Sequence, residues 1–247
     1  MQDRTYFLLK RLHSLAGVVP LAGFVVFHLF ENSHSVAGQD AFNHVVEFIR
    51  SQPYLYFVEL GLLAPLLFHA ALGVWLARAA KYNLGRYPTT QNVSYALQRA
   101  TGMVLLLFIS FHLYTTRFAG IASDQMFQTL REEYSRPLVA AFYVLGILSA
   151  AFHLSNGLWG FSVSWGIVRG QKSMDLAWKA CMGLGVAVAL MGLNALAGFE
   201  GRGVDLFQHE KAQAAAGAAL PAPPLPPPAP QAPPASADAP GAAPAAR

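Results

Sequence analysis

The sequence predicts an all-α membrane protein of five transmembrane helices, with the first four in one bundle and the fifth on its flank. Hydrophobic residues make up 54% of the 247 residues and charged residues only 12%, about half of what water-soluble domains carry. The apolar residues form five segments, at about 12–33, 55–80, 97–119, 137–163 and 178–199. Each is long enough to cross a hydrocarbon core of about 30 Å. Because backbone inside a bilayer must satisfy its own hydrogen bonds, the segments are predicted to be helices.

The first segment is predicted to be a permanent helix rather than a cleaved signal peptide. It is too long for such a peptide, it lacks a small-residue cleavage site, and Glu31 and Asn32 lie at its end. The fifth segment has no histidine, and its small and polar residues indicate packing on the flank of the bundle: Cys181, Gly183, Gly185 and Asn194. Cys181 is the single cysteine, so no disulfide can form within the chain.

The distribution of basic residues predicts the orientation of the five segments. The side of the N terminus holds ten lysines and arginines: Arg4, Lys10, Arg11, Arg78, Lys81, Arg86, Arg99, Arg169, Lys172 and Lys179. The other side holds seven, three of them in the 117–136 connection. The excess marks the cytoplasmic face. We therefore expect a multi-pass protein of a bacterial-type cytoplasmic membrane, with the N terminus in the cytoplasm and the C terminus outside.

Composition divides the chain into a transmembrane domain, 1–211, and a tail, 212–247. The tail consists almost wholly of alanine and proline. It has no apolar periodicity to bury, and its prolines favour an extended, solvated chain. We expect a disordered outer tail, which is better explained as a tolerated appendage than as a docking segment.

Each of the first four segments contains one histidine at nearly the same distance from its start. His28 and His112 lie about 16 and 15 residues into the outward-running first and third segments, so at 1.5 Å per residue they share one depth in the outer half. His69 and His153 lie about 14 and 16 residues into the inward-running second and fourth segments. They share a second depth, in the inner half.

The four histidines predict two haem groups. Polar groups inside a bilayer are expensive, so four at matched depths need partners. Paired imidazoles across a helix bundle are what a membrane haem requires, and depth pairs His28 with His112 and His69 with His153. A single intramembrane histidine more often hydrogen-bonds a neighbouring helix, but four that pair by depth favour metal binding. The chain has no C-x-x-C-H motif, which excludes covalent c-type attachment.

Glycines near the faces of these histidines are candidates for contact with a flat macrocycle. Gly17 lies eleven residues before His28 and Gly146 seven before His153, each about 20° from the histidine's face. The same residues suit close helix packing in any membrane bundle, so both interpretations remain open. The other histidines do not share the depth pattern: His13, His34, His44 and His209.

Several sequence motifs surround the four histidines. They are RLHSLAG at 11–17, FHLFEN at 27–32, LLFHAALGVW at 66–75, LQRATG at 97–102, FHLYTTR at 111–117 and FHLSNGLWGF at 152–161. With these motifs, the sequence resembles the di-haem cytochrome b membrane anchor of succinate:quinone oxidoreductases. It is most similar to the five-helix, single-anchor type, which includes menaquinone-linked fumarate reductases. The resemblance covers about residues 5–200.

The resemblance implies a subunit of succinate dehydrogenase or fumarate reductase that has no catalytic residues of its own. A flavoprotein subunit and an iron–sulfur subunit would dock on its cytoplasmic face, and succinate would be oxidised at the flavin. Electrons would pass to an inner haem b held by His69 and His153, then to an outer haem b held by His28 and His112, and then to quinone, with menaquinone expected.

The resemblance also assigns candidates for contact with the haem propionates. His13 and Ser14 lie at the inner end of the first segment, where family members contact these groups. Arg11 and Arg99 carry donors that suit the same carboxylates. Each arginine also suits the role of a snorkelling interface anchor.

Two carboxylates are candidates for the quinone site, which in this family lies near the outer haem. Glu59 and Glu31 lie near the outer ends of the second and first segments and could deliver the protons that quinone reduction consumes. The alternative is an interfacial cap in water. Some menaquinol-oxidising members carry a glutamate two residues before the fourth-helix ligand, where this chain has Ala151. The chain therefore looks more like members that reduce quinone with succinate.

Two other functions are considered. The cytochrome b subunit of a hydrogenase or formate dehydrogenase would distribute its histidines differently, with helices holding two each. A transporter that uses histidines for metal or proton transfer would carry carboxylates inside its bundle and inverted repeats. Neither carboxylates inside the bundle nor inverted repeats are visible in the sequence.

Overall fold

The computed structural model describes residues 3–79 and 85–206, and all regular elements within them are helices. Five stretches are long and apolar enough to cross a membrane: Arg4–Ala37, Leu55–Arg78, Thr90–Thr115, Pro137–Ser164 and Gln171–Phe199. We call them spans 1 to 5. They correspond to the five predicted segments, so the prediction of an all-α membrane protein is confirmed. The predicted tail, 212–247, and His209 lie outside the described residues.

Span 1 consists of four consecutive pieces. Helix α1 (Asp3–Ala16) leads into a π-helical stretch (Gly17–Ala22), helix α2 (Gly23–Asn32) and a 3-10 turn (Ser33–Ala37). Pro20 lies inside the π-helical stretch and has no N–H to donate to the carbonyl four residues earlier. Single π-helical turns inside α-helices often occur at functional sites, and Gly17 in this turn faces a histidine of span 2.

The remaining spans are single helices, and two of them start earlier than predicted. Span 2 is α4 (Leu55–Arg78), span 3 is α5 (Thr90–Thr115), span 4 is α7 (Pro137–Ser164) and span 5 is α8 (Gln171–Phe199). Spans 3 and 5 begin seven residues before the apolar segments that predicted them. Polar residues form these extra turns, and apolar content alone cannot reveal them. The Thr89 side chain caps span 3 by accepting from the Asn92 N–H.

Two short helices that were not predicted cover one end of the bundle. They are α3 (Gln39–Arg50) and α6 (Met126–Tyr134), and we call them the cap helices. The Asn43 side chain joins them: its Nδ2 donates to the Asp124 carbonyl at 2.5 Å, and its Oδ1 accepts from the Phe127 N–H at 3.0 Å. The cap helices form a buried cluster with Tyr143 of span 4 and Phe199 of span 5, and they contribute Phe42, Met126, Phe127, Leu130 and Tyr134 to it.

Span 5 packs against span 4 and against the second half of span 1. Small residues allow this approach: a Cβ at Gly185 would lie 2.6 Å from Ser155 Oγ, and one at Gly192 would lie 2.7 Å from Ile147 Cγ2. Spans 1 and 2 pack together, as do spans 3 and 4. Span 5 therefore lies on the flank of the bundle, as predicted, although the Gly192 end of it still reaches the central cavity.

Candidate functional site

A cavity of about 1620 Å³ runs through the bundle. It extends from Arg11 and Arg99, at the end where span 1 begins, to Glu59 and Arg117 at the opposite end under the cap helices. Its walls are mainly apolar, and it is lined by all four of the histidines His28, His69, His112 and His153. Its volume exceeds the roughly 300–1,000 Å³ of a typical small-molecule pocket, so it has room for more than one large cofactor.

The four histidines face each other in two pairs across this cavity. The ring centres of His28 and His112 are 5.7 Å apart with their planes at 73°, and those of His69 and His153 are 6.1 Å apart at 80°. Two imidazoles that bind one metal ion from opposite sides, with bonds of about 2 Å, have ring centres roughly 6 Å apart. Both pairs therefore have a separation at which they could share an iron.

Backbone carbonyls orient the His69–His153 pair. The Nδ1 of His69 lies 2.9 Å from the His13 carbonyl oxygen, and the Nδ1 of His153 lies 3.1 Å from the Gln98 carbonyl oxygen. Since a carbonyl can only accept, each Nδ1 carries the proton and each Nε2 keeps its lone pair for a metal. This is the usual arrangement behind metal-binding histidines.

Glycines leave room for these two rings. A Cβ at Gly17 would lie 2.6 Å from His69 Cε1, and one at Gly102 would lie 3.1 Å from His153 Cε1. Gly17 therefore adjoins His69, whereas the sequence analysis placed it near the face of His28. Gly102 was not singled out in the sequence, although it ends the LQRATG motif.

Side chains surround the His28–His112 pair. The Nδ1 of His112 lies 3.2 Å from the Tyr143 hydroxyl. Phe108 stacks on His112 with ring centres 5.9 Å apart, and Phe24 stacks on His28 at 5.2 Å. A Cβ at Gly146 would collide with the Phe108 ring, which agrees with the close-packing interpretation of this glycine. Its small size therefore accommodates Phe108, whose ring in turn packs on His112.

The span 1 end of the cavity carries donors suited to an anionic group. The His13 ring stacks on His69 at 3.9 Å. Within the described residues, His13 Nδ1 and Arg99 Nε are buried without a hydrogen-bond partner. Ser14 Oγ accepts from Trp165 Nε1 at 3.1 Å, and both guanidiniums lie over aromatic rings, Arg11 over Trp165 and Arg99 over Tyr95. Of the four candidates, His13 and Arg99 are the ones with a buried nitrogen left for such a group.

An ion pair lies at the opposite end of the cavity. Glu59 on span 2 accepts from Arg117 Nε at 2.6 Å and from Arg117 Nη2 at 2.9 Å. The hydrogen bonds to this carboxylate raise the pKa of Arg117. Arg50 of α3 donates to the Ile121 carbonyl at 2.6 Å. Burial, followed by repulsion from Arg117, lowers the pKa of Arg50. Glu31 also lines the cavity.

Comparison with known proteins identifies the family. Residues 76–193 match the family described as the succinate dehydrogenase/fumarate reductase transmembrane subunit. The succinate dehydrogenase cytochrome b558 subunit of Bacillus subtilis (strain 168) is 37% identical over 201 residues, which cover 81% of this chain and 100% of that protein. The chain belongs to this family. It is a multi-pass membrane anchor and a cytochrome b subunit of succinate dehydrogenase or fumarate reductase, in the electron-transport class, as predicted.

The cavity of this cytochrome b subunit fits a haem better than it fits a bare metal ion. Among residues 3–79 and 85–206, no group of three or more His, Cys, Asp or Glu side chains could hold a metal. A haem iron needs only two axial ligands from protein, which each histidine pair could provide. The buried, unpartnered donors of His13 and Arg99 suit the propionates of such a group.

Proposed function

We propose that this subunit is of the five-helix, single-anchor type and holds two haem b groups. His69 and His153 would ligate the inner haem, and His28 and His112 the outer one. The observation that carries the proposal is the presence of two facing imidazole pairs, 6.1 and 5.7 Å apart, in one cavity. When bound, the haems would supply one-electron redox chemistry that connects the iron–sulfur subunit with quinone.

The protein's own residues would orient and enclose these groups. The carbonyls of His13 and Gln98 keep the Nδ1 protons of the inner pair in place, so that both Nε2 atoms keep a lone pair for a metal. The donors of His13 and Arg99 would bind propionates at the same end. The apolar walls would limit water near the iron, which influences the potential of a metal site.

Quinone, with menaquinone expected, would react at the cavity mouth near Glu59 and Glu31. The position of Glu59 on the cavity wall supports this assignment, because a carboxylate there could pass protons from the outer surface. Position 151 supports quinone reduction without a transmembrane proton path through that site. Ala151 is buried, and its carbonyl lies near Gly185 of span 5.

The flavoprotein and iron–sulfur subunits would dock at the end where span 1 begins. Arg11 and Arg99 line the cavity there, close to the proposed inner haem. By the excess of basic residues, this end is cytoplasmic in a bacterial-type inner membrane. Succinate chemistry would take place on the partner subunits, and this chain would supply the electron path and the membrane attachment.

Substitution of one outer ligand tests the assignment. We expect wild-type complex to contain about two haems per chain by pyridine haemochrome, since each pair supplies two axial ligands. His112→Ala should remove the outer haem and leave the inner one visible in the reduced α-band spectrum. His44→Ala, at an exposed position of α3, is the control and should keep both. Loss of both haems from an assembled His112→Ala complex, or of neither, would contradict the pairing.

A further inference from the structure

We propose that Tyr143 is a positioning residue for His112, whose Nδ1 proton it accepts, and that it thereby lowers the reduction potential of the outer haem. The inference rests on the proposed function, in which His112 is an outer-haem ligand. It adds a residue outside the motifs from which the ligands were predicted.

The Tyr143 hydroxyl is held in place by its surroundings. It lies 3.2 Å from His112 Nδ1, on a side chain that is only 4% exposed. The Tyr143 ring packs against two other rings. Its centre lies 4.5 Å from that of Tyr134, in the cap helix α6, and 5.2 Å from that of Phe108, in span 3. A ring enclosed in this way keeps its hydroxyl beside His112 without help from solvent.

The direction of the hydrogen bond follows from the ligand chemistry. If His112 binds iron through Nε2, its Nδ1 must carry a proton, so Nδ1 donates and the Tyr143 oxygen accepts. The hydroxyl hydrogen of Tyr143 is then available for another acceptor. Thr115 of span 3 and Tyr134 of α6 are polar neighbours of the Tyr143 hydroxyl.

A carboxylate of the cap also lies near the phenol. Glu133 of α6 is a charged neighbour of both Tyr143 and Thr115. Negative charge close to the phenol makes its oxygen a stronger acceptor for the Nδ1 proton of His112.

Of the four histidines, His112 is the one whose Nδ1 acceptor is a side chain alone. The Nδ1 atoms of His69 and His153 each have a backbone carbonyl, and that of His153 also has the Thr101 hydroxyl at 3.3 Å. His28 has the Asn32 amide at 3.4 Å from its ring nitrogens, and that amide nitrogen can only donate. An acceptor on Nδ1 raises the basicity of a ligand histidine and favours oxidised iron, so loss of the Tyr143 hydroxyl should raise the potential of the outer haem.

The test is a redox titration of the assembled complex that carries Tyr143→Phe. This change removes one oxygen and keeps the packed ring. The midpoint potential of the outer haem should shift upward while that of the inner haem stays at its wild-type value. The control is Tyr114→Phe, also on span 3 but 73% exposed, which should move neither potential.

If Tyr143→Phe does not assemble with its outer haem, a second variant provides the test. Thr115→Val keeps the shape of the side chain and removes the next hydroxyl, so it should produce a smaller upward shift. An unchanged potential of the outer haem in Tyr143→Phe overturns the inference. If only Thr115→Val assembles, an unchanged potential in that variant overturns it. Failure of the proposed function would give a different result, namely an outer haem that is retained in His112→Ala.

Discussion

Gly17 shows how closely the residues around the proposed inner haem are packed. It lies in the π-helical turn of span 1, and the His69 ring occupies the space that a side chain would need. Gly23, six residues later in the same span, has no heavy atom within 4 Å of its would-be Cβ. The two glycines therefore allow a controlled comparison. Gly17 lies beside a candidate ligand, whereas Gly23 faces open space.

We expect Gly17→Ala to weaken binding of the inner haem selectively. The new methyl group would force His69 away from the His13 carbonyl, and overpacking of this kind costs about 1–3 kcal/mol, or roughly 5- to 150-fold in affinity. Haem content and α-band spectra of purified complex would measure the loss. Gly23→Ala should retain both haems. An inner haem that binds Gly17→Ala as tightly as wild type would show that the His69 ring can move without cost.

The candidate ligands could be predicted from the sequence, whereas most of their partners could not. A histidine inside an apolar segment is conspicuous because polar groups are rare there. The carbonyls of His13 and Gln98 carry no sequence signal, since every residue has one. Tyr143 looks like any aromatic residue of a membrane helix, and only the fold brings it beside His112. Helix periodicity left Gly146 open between contact with a macrocycle and close packing, because it cannot tell the cavity from the Phe108 ring.

The cap helices are the elements that hydrophobicity analysis did not find. Both lie in connections between spans, and their polar outer faces reduce their average hydrophobicity. Asn43 of α3 takes the place of an N-cap for α6, because its Oδ1 accepts the Phe127 N–H in the first turn. One polar side chain therefore links the connection between spans 1 and 2 to the connection between spans 3 and 4.

Asn43→Ala should loosen α6 without affecting the spans. Loss of a capping acceptor costs about 0.5–2 kcal/mol, which corresponds to roughly 2- to 30-fold faster local opening. Hydrogen–deuterium exchange of the amides at 126–134 would measure it. The comparison is Gln128→Ala, which removes only an exposed contact with Glu132 and should change exchange little. Equal acceleration in both variants would mean that Asn43 does not cap α6.

At the scale of the whole molecule, the number of spans sets which side of the membrane each end of the described chain faces. If each of the five spans crosses the membrane, residues 3 and 206 face opposite sides, and the basic residues favour a cytoplasmic N terminus. The spans themselves were predictable because lipid contact demands apolar residues over a fixed length. Their polar extensions at Thr90 and Gln171 were not, since those turns lie beyond the apolar segments that identify the spans.

Reporter fusions should reveal this orientation. Alkaline phosphatase is active only outside the cytoplasm, so we expect activity from a fusion after Arg247. A fusion after Gly170, between spans 4 and 5, should be inactive as a phosphatase, and a green fluorescent protein at the same position should fluoresce. The opposite pattern at both positions would invert the orientation. Phosphatase activity at both positions would place both outside the cytoplasm and would show that span 5 does not cross the membrane.

The different partners of the two histidine pairs have a consequence for how the subunit can evolve. His69 and His153 each have a main-chain oxygen as partner, which a single codon change cannot delete, and the Thr101 hydroxyl near His153 is an addition to it. His112 relies on a phenol, which one nucleotide change can remove. Lineages that adapt to quinones of different potential would therefore accumulate their adjustments around the second site and leave the first nearly constant.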